Sequence, residues 1–95
     1  MDKKFYVYIM TNKPRGVLYI GITSDIVHRA EQHKNEVVGG FTKKYRLHRL
    51  VYYETYDAPY DAIQREKHLK FWHRAWKIDL IEGENPAWRD LSDDF

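Results

Sequence analysis

Two short segments near the N-terminus alternate large apolar and aromatic side chains with the two-residue period of a β-strand. They span residues 6–10 and 18–22. The loop between them, residues 11–16, contains Asn, Pro and Gly and reads as a turn. Two such runs joined by a turn-rich loop predict an antiparallel β-hairpin.

Strand alternation also predicts which side chains of this hairpin share a face. Tyr6, Tyr8 and Met10 fall on one face of the first strand, opposite Val7 and Ile9. On the second strand the residues at 19 and 21, a tyrosine and a glycine, share a face in the same way. We therefore expect the tyrosines at 8 and 19 to be neighbours, with the glycine leaving room beside them.

The rest of the chain predicts one more strand and three helical pieces. A helix is expected over residues 25–36, ended by Gly39 and Gly40, with Ile26, Ala30, His33 and Val37 on its inner face. Residues 41–48 read as a basic loop, and residues 49–56 form the clearest strand. A proline at position 59 begins a long helix to about residue 72, and a further helical piece ends near residue 83. An irregular tail carries one large anchor, Trp88.

The predicted order is β-β-α-β-α-α. It indicates an α/β (α+β) fold in which a small three-stranded, mostly antiparallel sheet is flanked by helices. With 95 residues and no linker-like stretch, we expect a single domain over residues 1–95.

Composition narrows the class of protein. A chain that is 43% hydrophobic and 16% aromatic can fill a small core, which argues against disorder. It has no cysteine, so a disulfide framework and a thiolate zinc site are excluded. No apolar run reaches the roughly 20 residues that span a bilayer, and the N-terminus lacks a signal-like core. We expect a cytoplasmic protein with no membrane partner.

Charge is informative through its distribution. The net charge of +2 is small, but basic residues crowd two segments. The central segment holds Lys43, Lys44, Arg46, His48 and Arg49. The long helical stretch holds Arg65, Lys67, His68, Lys70, His73, Arg74 and Lys77. Two readings stay open, a solvated surface or a set of phosphate contacts for a polyanion.

The sharpest anomaly is a carboxylate on an apolar helix face. Glu66 lies at helical spacing among Ala62, Leu69, Trp76 and Leu80, with Trp72 alongside. A carboxylate there is costly unless it is paired or binds a cation. It either forms a structural ion pair, with Arg29 or Lys70, or holds a metal ion.

These segments resemble the GIY-YIG nuclease superfamily. Val7-Tyr8 matches the end of its first triplet and Tyr19-Ile20-Gly21 matches its second, while Tyr6 replaces the first glycine. The long helix carries a similar pattern, Ala62-x-x-Arg65-Glu66-x-x-Leu69-Lys70. Small bacterial single-domain members have comparable runs at Trp72, Arg74, Lys77 and Asn85-Pro86-x-Trp88.

The resemblance implies roles that the residues alone leave open. It implies that Glu66 binds a divalent metal, Mg²⁺ or Mn²⁺, and that Arg29 binds the scissile phosphate. Tyr8 would be the general base and Tyr19 would orient or assist it. His33, one helical turn after Arg29, would face the same cleft, and Asn85 matches a family asparagine near the site. On residue type alone, Arg29 is an ordinary surface residue, His33 a half-buried histidine and the tyrosines packed rings.

The implied function is a metal-dependent endonuclease that hydrolyses phosphodiester bonds in DNA, structured or damaged, in repair or recombination. Its phosphate contacts would be Lys43, Lys44, Arg46, Arg49 and Lys70, with little sequence specificity, and Tyr45 could contact a base. The alternative is a non-catalytic nucleic-acid-binding module that keeps the fold. It is favoured by Tyr6 and by the lack of an appended DNA-binding domain. A protein-interaction domain is a third reading, which rests on exposed aromatics alone.

Overall fold

A computed structural model describes residues 3–37 and 39–95. Its elements are β1 (Phe5–Thr11), β2 (Leu18–Thr23), α1 (Ile26–Lys34), α2 (Phe41–Lys44), β3 (Arg49–Tyr56), α3 (Pro59–Phe71), α4 (Arg74–Glu84) and a closing 3-10 turn (Leu91–Asp94). The predicted order of strands and main helices is confirmed. Two short elements were not predicted: α2 lies in the segment expected to be a loop, and the 3-10 turn lies in the tail.

The three strands form one antiparallel sheet in the order β2-β1-β3. In the hairpin register, Tyr8 lies opposite Gly21 and Met10 lies opposite Tyr19, so Tyr8 and Tyr19 are diagonal neighbours. An irregularity between Ile9 and Met10 shifts the register against β3. The strand that bears Tyr8 is therefore held on both sides.

The two faces of the sheet bury different side chains. On what we call the first face, a cluster forms around α1 from Tyr8, Met10, Ile26, Ala30, Leu47 and Leu50. On the second face, the strands pack against α3 and α4 through Val7, Ile9, Ile20, Val51, Tyr52, Ala62, Leu69, Ile81 and Trp88. This division follows the period-two pattern of the strands, and Trp88 is the buried anchor that the sequence predicts.

Helix ends explain where the expected apolar stripes stop. The Asp25 side chain accepts a hydrogen bond from the His28 N–H at 3.1 Å and starts α1. That helix ends before Val37, which is exposed rather than part of the inner stripe. Extended backbone at Trp72 and His73 separates α3 from α4, so exposed Trp76 does not continue the stripe of α3.

A polar network on the second face ties β3 to α3. The Glu54 carboxylate accepts two hydrogen bonds from Arg65, both at 2.9 Å, one from Tyr56 at 2.6 Å and one from Tyr52. The Arg65 guanidinium also lies over the Trp72 ring, 5.0 Å from its centroid. We call this the Glu54 network. Its hydroxyls and charges satisfy each other.

Among the described residues, no helix is long and apolar enough to cross a membrane.

Candidate active site

Three rings meet on the first face of the sheet. The Tyr8 hydroxyl oxygen lies 3.1 Å from His33 Nε2. Ring centroids are 6.3 Å apart for Tyr8 and Tyr19, 5.7 Å for Tyr8 and His33, and 5.8 Å for Tyr19 and His33. Strand alternation brings the two tyrosines to this face, and the third turn of α1 brings the histidine. We call the three residues the ring cluster.

Gly21 makes the position of Tyr8 possible. A Cβ atom at residue 21 would lie 2.4 Å from the Tyr8 hydroxyl oxygen and 2.5 Å from its Cζ. Real atoms do not approach so closely, so any side chain at this position would push the Tyr8 ring away. The glycine is therefore required by the neighbouring ring.

Tyr8 is held in its neutral, protonated form. Burial raises its pKa to about 12, and the charges of Tyr19 and Glu66 act in the same direction. Arg29 opposes this increase through its positive charge and a hydrogen bond to Tyr8. The pKa of Tyr8 thus responds to the charges of both Arg29 and Glu66.

His33 is buried and neutral. Burial lowers its pKa to about 4, and the charges of Arg29 and His48 add to the effect. A neutral imidazole carries one N–H, which it holds on Nδ1 or on Nε2. Nε2 contacts Tyr8, while buried Nδ1 has no hydrogen-bond partner among the described residues. An unpaired buried polar atom costs about 1–3 kcal/mol, and such atoms are uncommon outside functional sites.

Glu66 has a charged neighbour on its own helix. Its Oε2 lies 3.3 Å from Lys70 Nζ, and the side chains of Glu66 and Lys70 are 16% and 51% exposed. The ion-pair alternative raised by the sequence thus has a partner, Lys70 one turn later. The described residues contain no group of three or more His, Cys, Asp or Glu that could hold a metal. A single carboxylate still fits Mg²⁺, which keeps most of its water and takes few protein ligands.

Comparison with known proteins places the chain in a family. The model of the GIY-YIG catalytic domain matches residues 4–79. The chain belongs to the GIY-YIG family. It is also 40% identical to a UPF0213 protein of Staphylococcus saprophyticus over 81 residues, which cover 85% of this chain and 96% of that protein. A UPF0213 protein of Staphylococcus aureus is 37% identical over 82 residues, covering 86% of this chain and 98% of that protein.

A solved structure agrees with the fold. The solution NMR structure of a UPF0213 protein from Bacillus halodurans superposes with a TM-score of 0.59 at 25% identity and covers 93% of both chains. The GIY-YIG fold class and the membership predicted from the sequence are therefore confirmed, and the chain is grouped with the UPF0213 proteins.

Tyr6, which stands where the GIY-YIG pattern has its first glycine, fits into the sheet as an ordinary strand residue. Tyr6 lies within β1, and its ring packs edge-on against Tyr53 of β3 with centroids 6.2 Å apart. Its partner in the hairpin is Thr23. Replacing the first glycine adds a cross-strand aromatic contact and leaves Tyr8 in place.

The residues of the α3 pattern have different partners. Ala62 and Leu69 are buried in the second-face core, and Arg65 belongs to the Glu54 network. Within this GIY-YIG pattern, Glu66 is the residue whose charge acts on Tyr8. Packing and ion pairing explain the others.

Asn85, which matches a family asparagine, makes its hydrogen bonds to the backbone. At the end of α4, its amide nitrogen donates to the carbonyl oxygens of Val51 at 3.0 Å and Arg89 at 2.8 Å. Its Oδ1 accepts from the Arg89 N–H at 3.0 Å. Val51 belongs to β3, the edge strand on the far side of β1 from β2. The whole amide is occupied in joining the tail to the sheet.

Four of the five predicted phosphate-binding residues lie in or next to the central segment, and the fifth, Lys70, lies on α3. Lys43 and Lys44 are exposed on α2, and exposed Arg46 follows them. Arg49 is half-buried and donates to the Trp88 carbonyl at 2.9 Å. A surface cavity of about 800 Å³ opens here, lined by Asn12, Lys34, Tyr45, Arg46, His48, Arg49, Arg89, Asp90 and Asp93. None of the three residues of the ring cluster lines this cavity.

Sequence reasoning missed Phe41. Its ring lies 6.4 Å from that of Tyr19 and 4.7 Å from that of Tyr45. Because residues 41–48 were read as a loop, the helical i, i+4 spacing of Phe41 and Tyr45 was not used. That spacing is the signal by which this pair could have been found.

Proposed function

We propose that this protein is a metal-dependent endonuclease that hydrolyses phosphodiester bonds in DNA, with residues 1–95 acting as one nuclease domain. The observation that carries the proposal is the buried Tyr8–His33 pair, in which one His33 nitrogen is unpaired among the described residues and the pKa of Tyr8 responds to Arg29 and Glu66. Membership in the GIY-YIG catalytic-domain family supports it.

Proton removal from water is assigned to Tyr8 and His33 together. With its pKa raised to about 12 by burial, Tyr8 is almost never a free phenolate at neutral pH. We assign a relay in which the Tyr8 hydroxyl gives its proton to His33 Nε2 and takes one from the attacking water. The water oxygen bonds to phosphorus, the bond to the 3′ oxygen breaks, and that oxygen takes up a proton from solvent. His33 must begin as the Nδ1–H tautomer.

Two further side chains act on the phosphate and on the relay. Arg29 offers a planar fork of donors that fits phosphate oxygens and offsets the charge that develops there. Its charge also disfavours protonation of His33 before the phosphate arrives. Tyr19 contacts both other rings of the cluster and orients them.

Glu66 would hold the divalent ion, Mg²⁺ or Mn²⁺, together with water and phosphate oxygens. Bound there, the ion supplies Lewis-acid stabilisation of the phosphate. Lys70 neutralises Glu66 and, being half exposed, can turn to a DNA phosphate instead. These two residues thus exchange partners when substrate binds.

DNA is the proposed partner, held through its backbone. Lys43, Lys44 and Arg46 are exposed, and Arg49 is braced by its bond to the tail. Contacts to phosphate position a duplex or a strand without reading its sequence. Structured or damaged DNA, as met in repair and recombination, is the substrate class that we propose.

A second function has a specific observation in its favour. The Glu66–Lys70 pair gives Glu66 a partner without a metal. A non-catalytic nucleic-acid-binding module of the same fold would need nothing more from Glu66.

Glu66→Gln separates the two functions. Labelled single-stranded, duplex, flap and branched DNA would be incubated with wild type and variant, with Mg²⁺ or Mn²⁺ and with chelator. We expect the variant to lose cleavage by several orders of magnitude while it keeps DNA binding. Its unfolding free energy should change by less than about 0.5 kcal/mol, because glutamine keeps the shape of the largely buried side chain and an i, i+4 pair with half-exposed Lys70 contributes little.

The matched control is Glu84→Gln, at the exposed end of α4, which should cleave like wild type. Cleavage by Glu66→Gln at the wild-type rate, or no cleavage by wild type with either metal, would favour the binding module.

A further inference from the structure

A row of aromatic rings leads outward from the ring cluster. It starts at Tyr19, continues to Phe41 at 6.4 Å with the ring planes 28° apart, and ends at Tyr45, 4.7 Å further on. Phe41 and Tyr45 are 47% and 39% exposed. We call Tyr19, Phe41 and Tyr45 the aromatic row. It is continuous with the proposed catalytic residues.

Phe41 and Tyr45 are exposed because other residues of the same segment pack against the protein. Thr42 and Leu47 of the same segment are buried, so α2 has an inner side that packs against the protein. Phe41 and Tyr45 lie one helical turn apart on another side and present their rings to solvent. Single exposed aromatics are common on protein surfaces, but a contiguous row that begins in a buried cluster is typical of a binding surface.

The segment that carries Phe41 and Tyr45 bears charge of one sign. Residues 39–49 contain no Asp or Glu, and they include Lys43, Lys44 and Arg46. The Lys44 ammonium lies 5.4 Å from the centre of the Tyr45 ring. Aromatic rings interleaved with cations are what a single nucleic-acid strand requires, because the bases stack on the rings while the cations follow the phosphates.

We propose that the substrate enters the site as unpaired DNA, with one or two bases stacked on Phe41 and Tyr45. This inference rests on the proposed nuclease function and names its substrate class. In a duplex, neighbouring base pairs cover the flat face of each base, so the row could touch only backbone. In a single strand, flap or open junction those faces are free. A base on the row places the adjoining phosphate next to Tyr19, at the entrance to the ring cluster.

Binding without metal tests the row directly. Fluorescence anisotropy would follow a labelled single-stranded oligothymidine and a labelled duplex of equal length, in chelator, for wild type, Phe41→Leu and Tyr45→Leu. Leucine keeps apolar cover over α2 and removes the flat ring. We expect the single strand to bind roughly 5- to 100-fold more weakly to each variant, the range for loss of one stacked base, and the duplex to bind as before.

Two controls accompany the variants. Tyr60→Leu removes an equally large exposed ring from α3 and should leave both affinities unchanged. Phe41→Trp keeps a flat ring and should bind the single strand at least as well as wild type. Melting temperatures, followed by circular dichroism, confirm that the leucine variants remain folded at the temperature of the assay.

The outcomes separate this inference from the proposed function. If Phe41→Leu and Tyr45→Leu bind the single strand like Tyr60→Leu while wild type cleaves DNA, the row is not a stacking surface and the nuclease function stands. Equal losses for single strand and duplex would also overturn the inference, because the rings would then only position the lysines. Single-strand binding that depends on the row, without cleavage in Mg²⁺ or Mn²⁺, would uphold the row and overturn the nuclease.

Discussion

The two faces of the sheet each carry a tyrosine-containing polar cluster, and the two clusters are built differently. In the Glu54 network, one carboxylate is fully engaged by Arg65, Tyr52 and Tyr56. In the ring cluster, Tyr8 and His33 share one hydrogen bond, and His33 Nδ1 has no partner among the described residues. A satisfied network is what a stable core requires, whereas an unsatisfied one is retained where a ligand or a proton completes it.

Tyrosine pKa values alone would not have distinguished the clusters. Burial raises the pKa of Tyr8 to about 12, and it also raises the pKa of Tyr56 to about 12 and that of Tyr52. In the Glu54 network a carboxylate holds both hydroxyl protons, so they cannot leave easily. Tyr8 instead faces the neutral imidazole of His33, which can accept its proton. The positive charge of Arg29 favours the phenolate that remains. The hydrogen-bond partner therefore determines whether a buried tyrosine hydroxyl can give up its proton.

The largest expected effect compares one hydroxyl from each cluster. Tyr8→Phe should lower the cleavage rate by about 10²- to 10⁴-fold, the usual contribution of a general base. Tyr52→Phe should change the cleavage rate less than a few-fold at temperatures where the protein is folded. Single-turnover cleavage of one labelled substrate by both variants measures this. Similar losses in the two would remove the functional distinction between the faces.

Stability should show the reverse order. Glu54→Gln should lower the free energy of unfolding by about 2–3 kcal/mol, because it weakens charged hydrogen bonds and leaves half-buried Arg65 unpaired. Urea denaturation checks this against Tyr8→Phe, for which we expect a loss below about 1 kcal/mol. Because hydrogen bonds from Arg65, Tyr52 and Tyr56 outweigh burial and lower the pKa of Glu54, the contribution is present above its unfolded pKa. It is lost as the pH falls through the folded value.

The smallest expected effect per pH unit is the contribution of His33 to the pH dependence of the unfolding free energy. Its folded pKa is about 4, below the ordinary 6.5, because it is buried near Arg29 and His48. Between these values the unfolded chain binds a proton that the folded chain does not. Stability should therefore fall on acidification from about pH 6.5, by at most about 1.4 kcal/mol per pH unit.

His33→Gln should lack that part of the slope, measured as unfolding free energy against pH. His28→Gln, an exposed change on the same helix, should retain it. If the slope of His33→Gln matches that of wild type, then His33 does not stay neutral in the folded protein and cannot act as the proton acceptor of the relay.

Sequence patterns predicted the features that depend on neighbouring residues, namely the strands, the helices and the face on which each strand residue lies. The period of two sorts the strand residues between faces, which was enough to predict Tyr8 beside Tyr19. Turn residues and helix-start signals also predicted the order of the elements, which is the order that the family resemblance implies. The end of α3 near residue 72 was also predicted, but the apolar stripe that we extended to Trp76 was wrong, because α4 starts in a new direction and leaves Trp76 exposed.

Side-chain partners were the least predictable part of the site. Glu66 had two plausible cationic neighbours, and only the folded arrangement selects Lys70. Asn85 donates to the backbone carbonyl of Val51, 34 positions earlier in the chain, and to that of Arg89, four positions later. A backbone carbonyl is present in every residue, so the residue type does not predict which one accepts. Such contacts depend on the packing of distant elements, which a pattern within one segment does not encode.

The missing side chain at Gly21 has a consequence for engineering. A methyl group there would displace the Tyr8 hydroxyl from His33 and yet remove no ionisable group. Cleavage could then be stopped by the bulk of one methyl group, while the charges that attract DNA stay unaltered. Such a sterically blocked protein would retain its electrostatic field and so hold an uncleaved substrate in place. Gly21 is thus a position at which one added methyl group could prevent cleavage without any change of charge.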